Sequence, residues 1–316
     1  MKAVFVEQTG GPENLKYADL PQPQPGPGQA LVKIAAAGVN FIDIYFRMGL
    51  YKAEPPIVLG NEGAGTVEAV GDGVTEVKPG DRVAYAMQRG SYAEHAIVPA
   101  WQLVKIPEGV DFNTAAAAML QGMTAHYLTH STYQLKSGDR CLIHAAAGGV
   151  GLLLVQMAKM LGAHVVGTAG TEEKAQLARE AGADDVVVYT KEDFAPRAKD
   201  MHVVYDGVGK ATFMPSLDCL RPRGMMVTFG NASGPVPEFA PLILSQKGSL
   251  FVTRPSLAHY TLTREELLWR AGDVLGWIAA GKLKLHIHKV YKLSEAAQAQ
   301  VDLAGRKTTG KLVLVP

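Results

Sequence analysis

The residues with the clearest chemical reading are His144-Ala145-Ala146-Ala147-Gly148-Gly149-Val150-Gly151. From Ala146 to Gly151 they read A-x-G-x-x-G, a variant of the dinucleotide-binding turn. In such a turn Gly148 lets the backbone approach a pyrophosphate, and Gly151 lets the following helix pack closely on the preceding strand. The N–H groups and dipole of that helix then face the negative charge. A glycine pattern alone is weak. Here it follows the apolar run Arg140 to Ala145, opens the amphipathic segment Val150 to Leu161, and begins a series of further β-α units, which is the context the motif requires. The bland alternative is a tight βα turn that holds no ligand.

An NAD-selective site places an acid on the adenosine ribose about 20 residues after the fingerprint. The second strand ends here as Val165-Val166-Gly167-Thr168-Ala169-Gly170, and Glu172 and Glu173 come only after another glycine turn. The carboxylate that would repel a 2′-phosphate is missing. Lys174 adds a nearby cation and Tyr189, ending the third strand, a hydroxyl, so NADP(H) is favoured. On residue type alone, Lys174 reads equally well as a solvated helix lysine.

Other candidates carry less. Gly60-Asn61-Glu62-Gly63-Ala64-Gly65 leads into the alternating strand Thr66 to Val70, with no helix to present N–H groups, so turn and close-packing roles are expected. Cys141 and Cys219 read as small apolar fillers. His286 and His288 share one strand face, but two ligands close no metal site, and a structural or solvent-facing role is favoured. Neither a G-x-S-x-G elbow nor a P-loop lysine motif occurs. Metal-free chemistry is the expectation.

The elements that must position these residues fall into three stretches. The first third reads as strand, with a proline-rich loop from Pro21 to Pro27, the apolar run Ala30 to Ile34, a looser stretch Gly38 to Asp43, and a Pro-Gly turn between strands in Val77 to Val83. From about Gln121 strands and helices alternate. Strands are expected at His164–Thr168, Asp185–Tyr189, His202–Tyr205, Met225–Phe229 and Ser249–Thr253, with helices at Glu172–Ala181 and Ala211–Leu220. That rhythm implies a doubly wound parallel sheet. In the tail, Arg264–Ala280 and Glu295–Leu303 read as helices, Lys282–Tyr291 and Lys311–Val315 as strands. A β-rich start and a mixed tail around a nucleotide-type middle would let both ends form one domain.

Composition narrows the field. The 316 residues are 47% hydrophobic and 19% charged, enough for a sizeable core and unlike a disordered chain. Lys plus Arg number 31 against 30 Asp plus Glu, a formal net charge of +1, which leaves no electrostatic footprint for nucleic acid or an acidic membrane. No apolar run reaches the roughly 18 residues of a membrane span, and the start, Met1 to Glu7, meets an acid too soon for a signal peptide. Two cysteines build neither a disulfide framework nor a four-Cys zinc lobe. A reduced, cytoplasmic setting is expected.

At this point the longer segments become recognisable. HAAAGGVG, VVGTAGTEEKAQLAREAGADDVVVY, VVYDGVG, FGNASG and KGSLFVTRPSL, with GVNFIDIYFRMGLY and GRKTTGKLVLVP at the two ends, resemble the quinone oxidoreductase branch of the medium-chain dehydrogenase/reductase superfamily. The resemblance spans essentially the whole chain. It implies an α/β protein in which a β-rich GroES-like catalytic domain (1–121 and 256–316) accompanies a Rossmann NADPH-binding domain (122–255), as well as a homodimer. In zinc alcohol dehydrogenases similar to it, a cysteine lies in the segment matching GVNFID and a histidine in that matching GNEG. Here Asn40, or a neighbour, and Asn61 take those places while Glu62 survives, so no catalytic zinc is implied.

Carried over by position, the resemblance puts Ala146, Gly148, Gly149 and Val150 at the pyrophosphate. Gly170, Lys174 and Tyr189 would hold the 2′-phosphate, with Arg306 reaching it from the C-terminal segment. Thr124 and Asn40 would lie near the nicotinamide, Phe229, Asn231 and Val252 would line the cofactor cleft, and Tyr45 and Tyr51 would border the substrate pocket. Tyr45 reads as readily as an aromatic core residue. The implied activity is hydride transfer from NADPH to a quinone without metal, with Asn40, Tyr45 and Tyr51 as donors to the developing oxyanion. The nearest alternative is reduction of the C=C bond of an enal, enone or enoyl thioester, where a tyrosine acid would matter more. A non-catalytic role, including RNA binding, is a third reading, opposed by the neutral charge and the lack of an aromatic-basic stripe.

Overall fold

The computed structural model describes residues 1–316 and divides them into two compact units, Met1–Met123 with Thr261–Pro316, and Thr124–Tyr260. In chain order the strands are β1 (Lys2–Val6), β2 (Lys16–Asp19), β3 (Gln29–Val39), β4 (Ile57–Val58), β5 (Glu62–Val70), β6 (Arg82–Ala86), β7 (His95–Pro99), β8 (Val104–Lys105), β9 (Arg140–Ile143), β10 (His164–Ala169), β11 (Asp185–Val188), β12 (Met201–Asp206), β13 (Leu220–Thr228), β14 (Phe251–Thr253), β15 (Ile287–Lys292) and β16 (Lys311–Val315). The helices are α1 (Phe41–Met48), α2 (Phe112–Tyr127), α3 (Gly149–Met160), α4 (Glu172–Glu180), α5 (Phe213–Leu217), α6 (Leu242–Gln246), α7 (Arg264–Ala279) and α8 (Ala296–Ala304). No helix is long and apolar enough to cross a membrane.

The first unit is the β-rich one. Its larger sheet runs β15-β16-β3-β5-β6-β8 with β7 also on β3, and β2-β1-β4 form a second, smaller sheet. The C-terminal strand closes the unit: β16 lies antiparallel to β3, Leu312 opposite Val39 and Val313 opposite Gly38. Val4, Val32, Ile34, Val67, Val83 and Val98, all buried, meet between these strands. Glycines in β5 permit the close approach, since a Cβ on Gly65 would stand 2.0 Å from the Lys33 carbonyl oxygen. The cluster from Gly60 to Gly65 therefore packs strands and presents no helix terminus.

The second unit is a parallel sheet in the order β11-β10-β9-β12-β13-β14. From β9 the sheet grows through β10 and β11 on one side and then through β12, β13 and β14 on the other, the doubly wound order. Alternate residues are buried on both faces: Leu142, Val166, Val187, Val204 and Met226 on one, Cys141, Ile143, Val165 and Tyr205 on the other. Strands covered on both sides have no polar period to read. Both cysteines are buried, and burial pushes each thiol up to about 12.

Several boundaries depart from the sequence reading. The looser stretch Gly38 to Asp43 is the end of β3 and the start of α1, with the Asn40 N–H donating to Asp43 Oδ2 at 2.9 Å to cap the helix. α2, with four consecutive alanines buried, has no polar face to give it away. The helix expected at Ala211–Leu220 shrinks to Phe213–Leu217, because Thr212 is tied to Asp206 and Leu220 already pairs with Met201. The strand expected at Met225–Phe229 starts at Leu220 and stops at Thr228, and that expected at Ser249–Thr253 starts at Phe251. The strand expected from Lys282 begins at Ile287, since Lys282 and Leu283 donate to Trp277 to finish α7. Only His288 of the histidine pair lies in β15, and both rings bond to Thr309 Oγ1 (3.0 and 3.1 Å).

Candidate active site

The glycine turn sits at the carboxyl end of β9. Ala145 is in the left-handed region (φ 51°), and its N–H donates to Thr168 Oγ1 (3.3 Å) while the Ala146 N–H donates to the Thr168 carbonyl (2.9 Å). The Gly148 N–H closes the turn on Ala145 O at 2.8 Å. α3 then starts at Gly149, and its first N–H groups have no carbonyl one turn back to bond. A Cβ on Gly151 would stand 2.2 Å from Ala145 O and 2.9 Å from Ala146 Cα, whereas one on Gly148 would meet only Ala145 O at 3.1 Å. Gly151 makes the bend possible, and Gly148 keeps its outer side low. A dinucleotide pyrophosphate fits this cradle.

His144, immediately before the bend, belongs to a chain of hydrogen bonds whose direction can be worked out. Ser216 Oγ donates to the Thr212 carbonyl (2.6 Å), so it accepts from His144 Nε2 (2.8 Å). Nδ1 then accepts from Thr168 Oγ1 (3.0 Å). Burial pushes the imidazole down to about 4, so the neutral Nε2–H ring links β9, β10 and α5. Nothing in the local residue pattern marks His144 for this part.

At the end of β10 the structure brings two expected residues together. A Cβ on Gly170 would lie 2.7 Å from the Tyr189 hydroxyl, and Tyr189, 48% exposed, is fixed through its N–H to Ala169 O at 3.0 Å. Lys174 lies in the first turn of α4, its N–H donating to the Thr171 cap (3.3 Å). The neighbouring acid Glu172 is engaged by Arg179 (2.7 Å) and Lys191 (3.4 Å).

Beyond β13, Asn231 and Val252 line one pocket of about 520 Å³ with Phe213, Thr228, Phe239 and Arg254. Arg254 donates to the carbonyls of Thr228 (3.2 Å) and Gly230 (3.0 Å). With the Asn231 amide nitrogen on Gly230 O (2.9 Å), its oxygen accepts from Arg254 (3.2 Å). Phe229 packs its ring against Gly207 instead. Thr124 is buried on α2.

In the first unit Asn40 caps α1 and is 3% exposed. Its Nδ2 donates to Glu62 Oε2 (2.8 Å) and Gly38 O (3.3 Å), and its Oδ1 accepts from Lys311 Nζ (2.7 Å). Both amide hydrogens of Asn40 are engaged within the first unit. Asp43, wholly buried, accepts from Asn61 (2.7 Å), Tyr92 (2.9 Å) and the Asn40 N–H, and burial raises its carboxyl to about 6 despite those bonds. Tyr45 and Tyr51 stack edge to face (5.4 Å, 64°), and the Tyr51 N–H donates to Tyr45 O at 3.2 Å. Arg306 lies in the turn after α8 with φ 56°.

A zinc ion does not suit this set. Carboxamides stand at Asn40 and Asn61 where thiolate and imidazole would be needed. The Glu62 carboxylate accepts from Lys311 Nζ, Asn40 Nδ2 and the Leu120 N–H, so an ammonium already occupies its charge. No three His, Cys, Asp or Glu side chains converge elsewhere.

A doubly wound nucleotide unit and a β-rich unit closed by the chain's last strand define the medium-chain dehydrogenase/reductase class. Comparison agrees: residues 26–108 match the model of the alcohol dehydrogenase GroES-like domain, and residues 149–267 that of the zinc-binding dehydrogenases. Quinone oxidoreductase of Pseudomonas aeruginosa is 50% identical, covering 100% of this chain and 99% of the relative. A 2-haloacrylate reductase of Burkholderia sp is 43% identical over 99% and 98% of the two chains. The crystal structure of Escherichia coli quinone oxidoreductase complexed with NADPH superposes with a TM-score of 0.98 at 43% identity, covering 100% of both chains. The chain belongs to the quinone oxidoreductase branch of that superfamily and is an oxidoreductase.

No local sequence pattern marks Lys311, Asp43, Tyr92 or His144 as members of these networks. A lysine opening an apolar terminal strand was the one available hint, and only the β16–β3 pairing gives it meaning.

Proposed function

We propose that the protein is an NADPH-dependent reductase that reduces a quinone to its hydroquinone without a metal. The observation that carries this reading is the end of β10, where Gly170 and the Tyr189 hydroxyl stand in place of a ribose-binding acid. The relative crystallised with NADPH supports the choice of coenzyme. NADPH, when bound, supplies the hydride. The pyrophosphate belongs on the Ala146–Gly151 bend, where the α3 N-terminus neutralises charge. Gly170, Lys174 and Tyr189 hold the 2′-phosphate in the second unit. Asn231 and Val252 line the pocket assigned to the nicotinamide end, and Phe229 and Thr124 are assigned to the same cofactor without lining that pocket.

The first unit contributes the acceptor residues. As hydride reaches the quinone ring, charge develops on its oxygen, and the hydroxyls of Tyr45 and Tyr51 are assigned as its hydrogen-bond donors. The product anion is a stabilised phenolate and takes its proton from water, so the step needs no strong acid. Quinone, NADPH and one proton give hydroquinone and NADP⁺.

A second reading, reduction of an activated C=C bond, is favoured by the 43% identity to 2-haloacrylate reductase. There an enolate carbon must be protonated, and a tyrosine acid becomes important. Stopped-flow loss of NADPH absorbance with quinones, enones and 2-haloacrylate decides between them. Fast oxidation by quinones alone supports the first reading, oxidation by the unsaturated acids alone the second, and no oxidation by any acceptor overturns both.

The working form in this proposal is a cytoplasmic homodimer with no nucleic-acid ligand. β14 is the edge of the six-stranded sheet and carries Phe251, 57% exposed, and such an edge can pair with its twin.

A further inference from the structure

We propose that Lys311 is a positioning residue, whose ammonium between Asn40 and Glu62 fixes the start of α1 and thereby Tyr45 and Tyr51. The inference rests on the acceptor role given above to those two tyrosines. Lys311 is 1% exposed and Glu62 not exposed at all. A buried ion pair repays its desolvation only when the geometry is good and the remaining polar atoms are bonded. Both conditions hold. Lys311 Nζ lies 2.5 Å from Glu62 Oε2 and 2.7 Å from Asn40 Oδ1. Glu62 Oε1 takes the Leu120 N–H, and Asn40 Nδ2 returns to Glu62 Oε2. The three side chains close a ring of bonds.

The backbone makes room for that ring. A Cβ on Gly38 would stand 2.1 Å from Glu62 Oε2 and 2.8 Å from Lys311 Cε, so the pair lies directly over β3 where a side chain would otherwise be. From the ring the connection to the tyrosines is short. Asn40 is the cap of α1, its N–H bonds Asp43 Oδ2, and Asp43 is held in turn by Asn61 and Tyr92. Tyr45 follows on the same helix, and its carbonyl and ring fix Tyr51. Asn40 can leave its place only by stripping Lys311 and Glu62 of partners in the interior. Its position is thereby fixed to the last strand of the chain.

The competing explanation is that the pair merely holds β16 against β5. The variants Lys311→Met, Lys311→Arg and the double variant Glu62→Gln with Lys311→Met separate the two. Replacing both charges by neutral groups of similar size removes the desolvation cost and should restore thermal stability. If Lys311 positions Asn40, kcat with the best acceptor stays down by about tenfold to a hundredfold in both Met variants. The Kd for NADPH stays within about twofold of wild type, and Lys311→Arg regains part of the loss.

A second readout does not depend on turnover. The side-chain amide resonances of Asn40, assigned by their disappearance in Asn40→Asp, should exchange slowly in the wild type. They should shift and exchange faster in the double variant. Wild-type protein that turns over no acceptor would refute the function proposed above and leave the resonance experiment to judge Lys311. A folded double variant with wild-type kcat, or with unmoved Asn40 resonances, overturns the inference.

Discussion

The Tyr189 hydroxyl lies where it would stand 2.7 Å from a Cβ on Gly170, so the glycine and the tyrosine together shape the surface at the end of β10. Tyr189→Phe keeps the ring and removes the hydroxyl. It should weaken NADPH by about tenfold, the loss of one hydrogen bond to a charged group, and leave NADH unchanged. Gly170→Ala should push the ring aside and give a loss of the same order. Fluorescence titration with both coenzymes checks the pair, and equal losses for NADH would show that the hydroxyl does not read the 2′-phosphate.

The two glycines of the bend should behave differently. At Gly151 a methyl group meets backbone at 2.2 Å, while at Gly148 it meets one carbonyl oxygen at 3.1 Å. Gly151→Ala should destabilise the free protein by about 1–3 kcal/mol or more. Gly148→Ala should change its melting temperature little and weaken coenzyme binding instead. Thermal unfolding without coenzyme, followed by calorimetric binding, separates the two effects.

Acid should move the two units in opposite directions. His144 in the second unit is pushed by burial from an ordinary value of 6.5 to about 4. Unfolded chain therefore binds a proton first, and the stability His144 provides above pH 6.5 is lost as pH falls through about 4. Asp43 in the first unit is raised by burial from 3.8 to about 6. Its relative stabilisation is present below pH 3.8 and lost as pH rises through about 6. Either shift corresponds to about 3 kcal/mol at full extent. Hydrogen exchange at pH 6.5 and 4.5, corrected for intrinsic rates, should show His144→Gln flattening the dependence in the second unit and Asp43→Asn that in the first.

Much of this architecture could be read in advance because the informative signals were local. The Ala146–Gly151 pattern, the missing acid after Val165–Gly170 and the run of β-α units each lie within a few residues of chain. α1 and α2 were not legible for the opposite reason. α1 hides in a strand-like segment, and α2 buries alanines all round and so shows no period. The Asn40–Glu62–Lys311 ring was also out of reach, since its members are 22 and 249 residues apart along the chain.

The proposed dimer rests on the β14 edge. Phe251→Lys puts a charge on the exposed edge side chain, a common device against strand pairing. Sedimentation should show the wild type as a dimer and this variant as a monomer that retains its far-ultraviolet circular dichroism. A monomeric wild type would remove the dimer from the account.

Titration calorimetry of NADPH and NADH into the wild-type protein tests the central claim most directly. Binding of NADPH at least about tenfold tighter than NADH is expected from one charge-assisted contact to the extra phosphate. Equal affinities, or no heat from either coenzyme, would contradict it.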